Sequence, residues 1–276
     1  MKSFSPRILA LGAHPDDCEI LAGGSALLWA RKGAVVKFVS VTNGECGHHA
    51  MSGSELVARR RAEAKAAAEV AGIESLVMDH PDGKLVPGLA ERESLMRVIR
   101  GFRPDLILTH RPNDYHPDHR YTSQLVQDCA YVVGVPNVWP ELPPLREAPV
   151  IAYFRDNFQK PTPFQADVVV DIGPVISEKI RMLACHESQF FEWLPWNGRH
   201  DLKATDDPEE RLSLMEKFVR HRNAPTAEHR SRLATWYGAD HAAGVEFVEC
   251  FEACEYGAPL DEAAIRRLFA VPASGA

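Results

Sequence analysis

The sequence lacks several features that would assign it to a large functional class. Its 31 Lys and Arg are outnumbered by 38 Asp and Glu, and the net charge of -7 argues against nucleic acid or an anionic membrane as a partner. No apolar run approaches the roughly 20 residues of a membrane span. The N-terminal apolar stretch is short and broken, without the cleavage pattern of a signal peptide. We therefore expect a soluble, unprocessed, cytoplasmic protein.

Cysteine motifs are also absent. The six cysteines are scattered and form no Cys-x-x-Cys pair, and only Cys250 and Cys254 lie close together in the chain. This distribution argues against a disulfide framework and against a cysteine zinc cluster, and it favours a reducing compartment. We expect both of these cysteines to be buried as small hydrophobic residues.

Short β-branched runs alternate with longer helical patterns along the chain. RILALGA, VVKFVSVT, SLVMDH and DLILTH read as nearly continuous apolar strands, each followed by a helical segment. This alternation predicts an α/β fold that is Rossmann-like, with a mostly parallel sheet covered by helices on both faces. The first strand leads into GAHPDDCEILAGG instead of a Gly-x-Gly-x-x-Gly turn, which argues against a dinucleotide site.

The composition changes near the C-terminal third of the chain. Residues 192–242 mix aromatic, proline, glycine and charged residues, which predicts an irregular and helical excursion that serves as a lid or an oligomer contact. A last strand, GVEFVECFEA, follows this excursion. Because a lone strand must pair with an existing sheet, we predict one domain over 1–276 with a C-terminal appended region.

Polar clusters follow four of the predicted strands. They read AHPDD, TNGECGHH, DHPDGKL and THRPNDYHPDH. Ligands of open α/β sheets bind at the carboxyl ends of the strands, so we expect the clusters to converge on one rim. His14 and Asp17 with a histidine of the fourth cluster would form a set typical of catalytic zinc or ferrous sites.

A divalent cation in that set would also explain the adjacent carboxylates of Asp16 and Asp17, whose burial is otherwise costly. Two plainer interpretations stay open at this point. The aspartates can serve as caps of the following helix, and HPDH can be a solvated turn. Neither interpretation explains why both clusters end strands of one sheet.

The two motifs resemble those of the PIG-L or LmbE-like superfamily of zinc-dependent N-deacetylases. The resemblance extends through TNGECG, RRAEAKAAAEVAG, PDGKL, VVVDI, EKIRMLACHESQF and GVEFVECFE. It implies that the metal ligands are His14, Asp17 and His119. It also implies that Asp16 is the general base.

The resemblance implies further roles around this centre. His116 would stabilise the oxyanion and act as an acid, and Asp118 would orient His116 from behind. Arg60 would lie at the pocket edge, and Asp114 occupies a position where some relatives carry a tyrosine. His186 lies at a family-like position near the pocket, so we count Arg60, Asp114 and His186 as candidate substrate contacts.

The resemblance implies an enzyme that removes an acyl group, with acetyl as the first expectation, from the amide nitrogen of an amino sugar or sugar conjugate. Metal-bound water would attack the amide, with zinc as the cofactor and Fe2+ or Co2+ as alternatives. The partner would be a small N-acylated molecule, and relatives suggest a homo-oligomer. Hydrolysis of another amide or a phosphoester, and a non-catalytic metal-binding module, remain alternatives.

Overall fold

The structure is a computed structural model that describes residues 5–198, 205–269 and 271. Its strands are β1 Arg7–Gly12, β2 Val35–Thr42, β3 Glu74–His80, β4 Leu106–Thr109, β5 Val150–Phe154, β6 Val168–Asp171 and β7 Val248–Ala253. Its helices are α1 Asp17–Arg31, α2 Gly53–Ala71, α3 Leu89–Phe102, α4 Pro117–Val132, α5 Ile176–Ala184, α6 Leu194–Trp196, α7 Pro208–Asn223, α8 Ala227–Tyr237, α9 Ala239–Gly244 and α10 Glu262–Leu268. A 3-10 turn, Gly173–Val175, precedes α5, and a π-helical turn, Ser188–Trp193, precedes α6.

The strands form one seven-stranded sheet in the order β3-β2-β1-β4-β5-β7-β6. The neighbours from β3 to β5 pair in parallel, and β7 pairs antiparallel with both β5 and β6. The mostly parallel α/β fold predicted from the sequence is confirmed. The last strand joins the existing sheet, as expected of a strand with no other partner.

Successive residues of a strand point to opposite faces, and β1 feeds a core on each side of the sheet. Ile8 and Ala10 pack in one core with Trp29 of α1. Leu9 and Leu11 pack in the other core, together with residues of α3 and α4. Burial on both faces accounts for the continuous apolar strand sequences.

After β1 the sequence pattern predicts a helix over the segment GGSALLWARKG, but α1 begins earlier, at Asp17. The two glycines of that segment lie inside the helix, where α1 closely approaches its neighbours. A Cβ at Gly23 would be 2.9 Å from the sulfur of Met182, and one at Gly24 would be 2.8 Å from Ile172. The glycines therefore permit close packing and do not mark a helix start.

A buried ion pair joins α5, β7 and α1. The Lys179 Nζ atom of α5 lies 2.5 Å from Glu249 Oε1 of β7. The same carboxylate accepts the backbone N–H groups of Gly24 and Ser25 in α1, at 2.8 and 2.7 Å. Such a pair needs the added hydrogen bonds to offset its desolvation.

The predicted excursion over 192–242 is mostly helical in the part that the structure describes, and residues 199–204 of it lie outside that part. Helix α7 packs against α5 and the π-helical turn through Leu214, Met215 and Phe218. Cys250 and Cys254 are buried and free, as predicted. Among the described helices, none has both the length and the apolar content needed to cross a membrane.

Candidate metal centre and active site

Strands β1 and β4 are neighbours in the sheet, although β2 and β3 come between them in the chain. The helices that follow β1 and β4 start at Asp17 and Pro117. In open α/β sheets, ligands bind in the crevice at the carboxyl ends of strands where the order reverses. The HPDD and HPDH motifs flank such a crevice, so the fold itself brings them together.

The three predicted metal ligands present their donor atoms to one point. His14 Nδ1 lies 3.2 Å from His119 Nε2 and 3.5 Å from an Asp17 carboxylate oxygen. His119 Nε2 lies 3.5 Å from the other Asp17 oxygen. Zinc bonds of about 2.0–2.1 Å in a tetrahedral arrangement place ligand atoms roughly 3.3 Å apart. The spacing of these side chains fits a single tetrahedral ion.

The outer nitrogens of both histidines face carboxylates. His14 Nε2 is 3.2 Å from Asp82 Oδ1 and 3.4 Å from Asp118 Oδ2, and His119 Nδ1 is 3.0 Å from Asp114 Oδ1. A carboxylate behind a histidine draws the ring proton to the outer nitrogen, a common arrangement at metal sites. In that tautomer the inner nitrogens of both rings carry lone pairs, and a cation between them would be bound by both.

The electrostatics of the centre also favour a cation. Burial lowers the pKa of His14, but hydrogen bonds to Asp118, Asp17 and Asp82 outweigh it, and the pKa lies well above its ordinary value. Burial raises the pKa of Asp17, but the nearby His119 and His110 outweigh it, and the pKa lies well below its ordinary value. Both shifts favour an ionised carboxylate beside positive charge.

His110 offers a fourth nitrogen close to the same point. Its Nε2 lies 3.2 Å from Asp17 Oδ2, and Asp17, His110 and His119 also bring donor atoms within 4.8 Å of one another. However, this nitrogen accepts the backbone N–H of Ala13 at 3.1 Å. Because that lone pair is already engaged, we do not count His110 in the ligand set.

Asp16 lines the same cavity as the metal ligands and is held by Arg60. Although Asp16 occupies the N-cap position of α1, its side chain makes no capping hydrogen bond. Its Oδ1 accepts a hydrogen bond from Arg60 Nη2 at 3.2 Å. Burial raises the pKa of Asp16, and the nearby Arg60 only partly offsets this. The capping interpretation of this aspartate is therefore wrong.

Arg60 is buried, and the TNGECG loop closes over its guanidinium. Its Nη1 donates to the carbonyl oxygen of Gly44 at 3.4 Å. A Cβ at Gly44 or Gly47 would come within 2.7 or 2.6 Å of that nitrogen, and Gly44 has φ +72°. The two glycines thus make room for the arginine that holds Asp16.

The expected contact between the Asp118 carboxylate and His116 does not occur. Instead, the Asp118 backbone N–H donates to His116 Nδ1 at 3.2 Å, while the carboxylate lies against His14 and accepts the N–H of Gly83 at 2.7 Å. The reason is that His116 is the N-cap of α4, so its ring turns onto the first turn of that helix. Burial, with the nearby His14 and His119, lowers the pKa of His116. Because Nδ1 accepts the Asp118 N–H, Nε2 is the nitrogen of this ring that can donate a proton into the cavity.

Of the other candidate substrate contacts, Asp114 lines the cavity and His186 is buried in the interior. Asp114 lines the cavity, but its carboxylate contacts the ring of His119, so we assign it to the support of a ligand. His186 is fully buried beside Glu19, at 3.5 Å, and does not line the cavity. The expected substrate contact of His186 is therefore wrong, because this histidine lies in the short connection between α5 and the π-helical turn and is buried there against Glu19 of α1.

Asp82 belongs to the centre but received no role from the sequence. It follows β3, contacts His14 Nε2 and accepts the N–H of Cys46 at 3.1 Å. The pKa of Asp82 is lowered to about 2, since hydrogen bonding to His14 outweighs its burial. The position of DHPDGKL after a strand was the available signal for it.

A cavity of about 560 Å³ opens above the centre. Asp16, His116, Arg60, Tyr115 and Trp193 are among the residues that line it. Trp193 stacks on Trp196, whose ring in turn stacks on His49, at centroid distances of 5.3 and 5.1 Å. Trp193 thus supplies an apolar face on the cavity side, while Trp196 is 63% exposed.

The chain has detectable relatives. The model of the PIG-L family, described as GlcNAc-PI de-N-acetylase, matches residues 9–130. A diacetylchitobiose deacetylase of Thermococcus kodakarensis is 32% identical over 203 residues, which are 69% of this chain and 73% of the relative. A 4-oxalmesaconate hydratase of Pseudomonas putida is 28% identical over 196 residues, 67% of this chain and 74% of the relative.

Solved structures give the same result for the fold. The diacetylchitobiose deacetylase of Pyrococcus horikoshii matches with a TM-score of 0.67 and 26% identity, over 91% of this chain and 84% of that one. A hydratase of Pseudomonas putida matches with a TM-score of 0.70 and 20% identity, over 93% and 99%. Fold and site define a Rossmann-like α/β protein with a His-Asp-His centre at the point where strand order reverses. The chain belongs to the PIG-L family.

Proposed function

We propose that the protein is a metal-dependent N-deacetylase that hydrolyses the amide of an N-acylated amino sugar or sugar conjugate. The observation that carries this proposal is the division of labour between adjacent carboxylates. Asp17 lies among the ligand atoms, whereas Asp16 is held by Arg60 and lines the same cavity. A site that only stored an ion would not need a second carboxylate beside it. The deacetylase relatives support an amino sugar as substrate.

The metal would be held by His14, Asp17 and His119. A divalent ion there, zinc in the first place, supplies a Lewis acid that polarises the acyl carbonyl and makes water more acidic. The residues around it have separate tasks. Asp82 and Asp118 fix the ring of His14, and Asp114 fixes the ring of His119.

Asp16 and His116 would carry the proton and charge movements. Asp16 takes a proton from water as the water oxygen bonds to the acyl carbon, and it delivers that proton to the amine nitrogen as the C–N bond breaks. Arg60 keeps the Asp16 carboxylate turned to the cavity. His116, with Nδ1 engaged by the Asp118 N–H, donates from Nε2 to the carbonyl oxygen as it becomes negative.

Addition of water to a carbon–carbon double bond is a second candidate, because one relative is named as a hydratase. That reaction also uses a polarised carbonyl and a base beside water. The substrates separate the two candidates: an amide releases an amine and a carboxylic acid, whereas an unsaturated carboxylate only gains water. Phosphoester hydrolysis usually requires two metal ions, so metal stoichiometry distinguishes it from the leading proposal.

The test is a screen of the zinc-loaded protein against N-acetylglucosamine derivatives, with free amine and acetate as readouts. Asp16→Asn should keep its zinc by elemental analysis but lose about 10²–10⁴-fold in kcat, the range typical of a general base. Asp79→Asn is the matched control, since Asp79 lies on β3 at the surface. Wild-type turnover of Asp16→Asn would contradict the role of Asp16. Hydration of an unsaturated carboxylate without any amide hydrolysis would favour the second candidate.

A further inference from the structure

A second cavity, of about 550 Å³, adjoins the one above the metal centre. The two cavities share several lining residues, among them Ile20, Phe218, Arg155 and Arg222. Helix α7 supplies Lys217 and Arg222, and Arg155 directly follows β5. We call Arg155, Lys217 and Arg222 the cationic wall. It places three positive side chains next to the proposed catalytic site of an acidic protein.

None of these three cations forms an ion pair with a carboxylate among the residues that the structure describes. The guanidinium of Arg155 donates to the backbone oxygen of Arg222 at 3.4 Å. The Arg222 guanidinium has no hydrogen-bond partner within residues 5–198, 205–269 and 271, although its side chain is only partly exposed. Burial and the nearby Arg155 lower the pKa of Arg222. Positive charges that approach each other in a partly buried place cost free energy unless an anion joins them.

The carboxylates close to the cationic wall are already engaged. Asp156 lies 3.0 Å from Arg111 Nη1, and Glu249 lies 2.5 Å from Lys179 Nζ. Asp17 and Asp114, the carboxylates that act on Arg222 from the metal side, belong to the metal centre. The charge of the wall is therefore left for a group that enters the cavity from outside.

The side-chain chemistry indicates which group this is. Guanidinium groups bind carboxylates and phosphates through paired N–H donors, and lysine adds a mobile point charge. Because Arg155 and Arg222 line both cavities, a ligand on the wall lies beside a ligand at the metal centre. A single molecule that carries both an amide and an anionic group can therefore occupy the metal centre and the cationic wall at once.

We propose that the cationic wall binds an oxyanionic group, a carboxylate or a phosphate, of the same N-acylated amino sugar whose amide lies at the metal centre. This inference rests on the proposed deacetylase function and narrows its substrate class to acidic sugar derivatives. The anionic group would contribute binding energy away from the reacting bond, so its loss should appear mainly in KM.

The experiment compares kcat/KM of the zinc-loaded protein for N-acetylglucosamine with that for its 6-phosphate, its 1-phosphate and N-acetylmuramic acid. We expect at least one anionic substrate to exceed N-acetylglucosamine by tenfold or more. A preference for a phosphate ester assigns the wall to phosphate, and a preference for N-acetylmuramic acid assigns it to carboxylate. Equal kcat/KM values for neutral and anionic sugars would overturn the inference.

Variants test whether the wall causes the preference. Arg222→Gln should lower the ratio of anionic to neutral kcat/KM by at least tenfold, and Lys217→Gln tests the same wall from an exposed position that tolerates substitution. Arg220→Gln is the matched control, because Arg220 lies on the same helix, is exposed and pairs with Glu246 at 3.2 Å. A ratio unchanged in both Arg222→Gln and Lys217→Gln would overturn the inference.

Calorimetry separates this inference from the proposed function. At least one of glucosamine 6-phosphate, glucosamine 1-phosphate and muramic acid should bind the wild-type protein more tightly than glucosamine, and Arg222→Gln should remove the difference. Failure to hydrolyse every amide would count against the proposed deacetylase, while this binding measurement still reports on the wall. Equal binding of glucosamine and of all three anionic amino sugars, together with active amide hydrolysis, would overturn the inference and leave the deacetylase in place.

Discussion

The two adjoining cavities differ in how their charged side chains are paired. On the metal side, every carboxylate faces a histidine or an arginine, as Asp82 faces His14 and Asp16 faces Arg60. On the cationic wall, Arg155, Lys217 and Arg222 have no carboxylate partner among the described residues. Partnered charges hold a catalytic geometry in place, whereas unpartnered charges are available to a ligand. The difference indicates which wall performs the reaction and which wall selects the substrate.

The largest effect on the metal centre should come from the removal of one of its ligands. His119→Ala should reduce bound zinc from one ion per chain to a small fraction and bring amide hydrolysis to background, because two ligands of a three-residue set remain. Elemental analysis after dialysis checks this expectation. His241→Ala is the control, since His241 of α9 is exposed and pairs with Asp171, the last residue of β6. Unchanged zinc content in His119→Ala would exclude His119 as a ligand.

A smaller effect should follow from removing the charge behind a ligand. Asp118→Asn keeps the shape of the side chain but loses the carboxylate beside His14, so the metal affinity should fall about 10–100-fold. Competition with a zinc chelator measures this change. Asp128→Asn, on the same helix, is the matched control. A loss of kcat with full metal affinity would instead support the arrangement expected from sequence, in which Asp118 acts on His116.

The smallest effect concerns stability and tests the cationic wall without any substrate. Arg222→Met should raise the free energy of unfolding by about 1 kcal/mol, because it removes a partly buried cation that lacks a partner. Arg60→Met should lower it, because Asp16 and the carbonyl of Gly44 would lose their donor. Urea unfolding of both variants at one pH gives the comparison. A fall in stability for Arg222→Met would mean that its guanidinium stabilises the folded chain.

The sequence itself determined the strand and helix alternation, the mostly parallel sheet, and the two motifs that converge on one rim. These features can be read from short segments of sequence. A strand that is buried on both faces of a parallel sheet has a continuous apolar sequence, and polar residues follow where the strand ends. The pairing of HPDD with HPDH followed from sheet geometry alone. The spacing of His14, Asp17 and His119 agrees with that expectation.

Only the tertiary structure decided which charged or polar side chains contact each other. The Asp118 carboxylate lies against His14 while capping of α4 holds the ring of His116. His186 is buried because the connection after α5 packs it against Glu19 of α1. Arg155 and Arg222 meet across two cavities although they lie far apart in the chain. No local pattern records such contacts, since they depend on side-chain direction and on how α7 packs against the sheet. The sequence specified the strands, the helices and the residue types at their ends. Packing decided which charged side chains pair with each other and which remain available to a ligand.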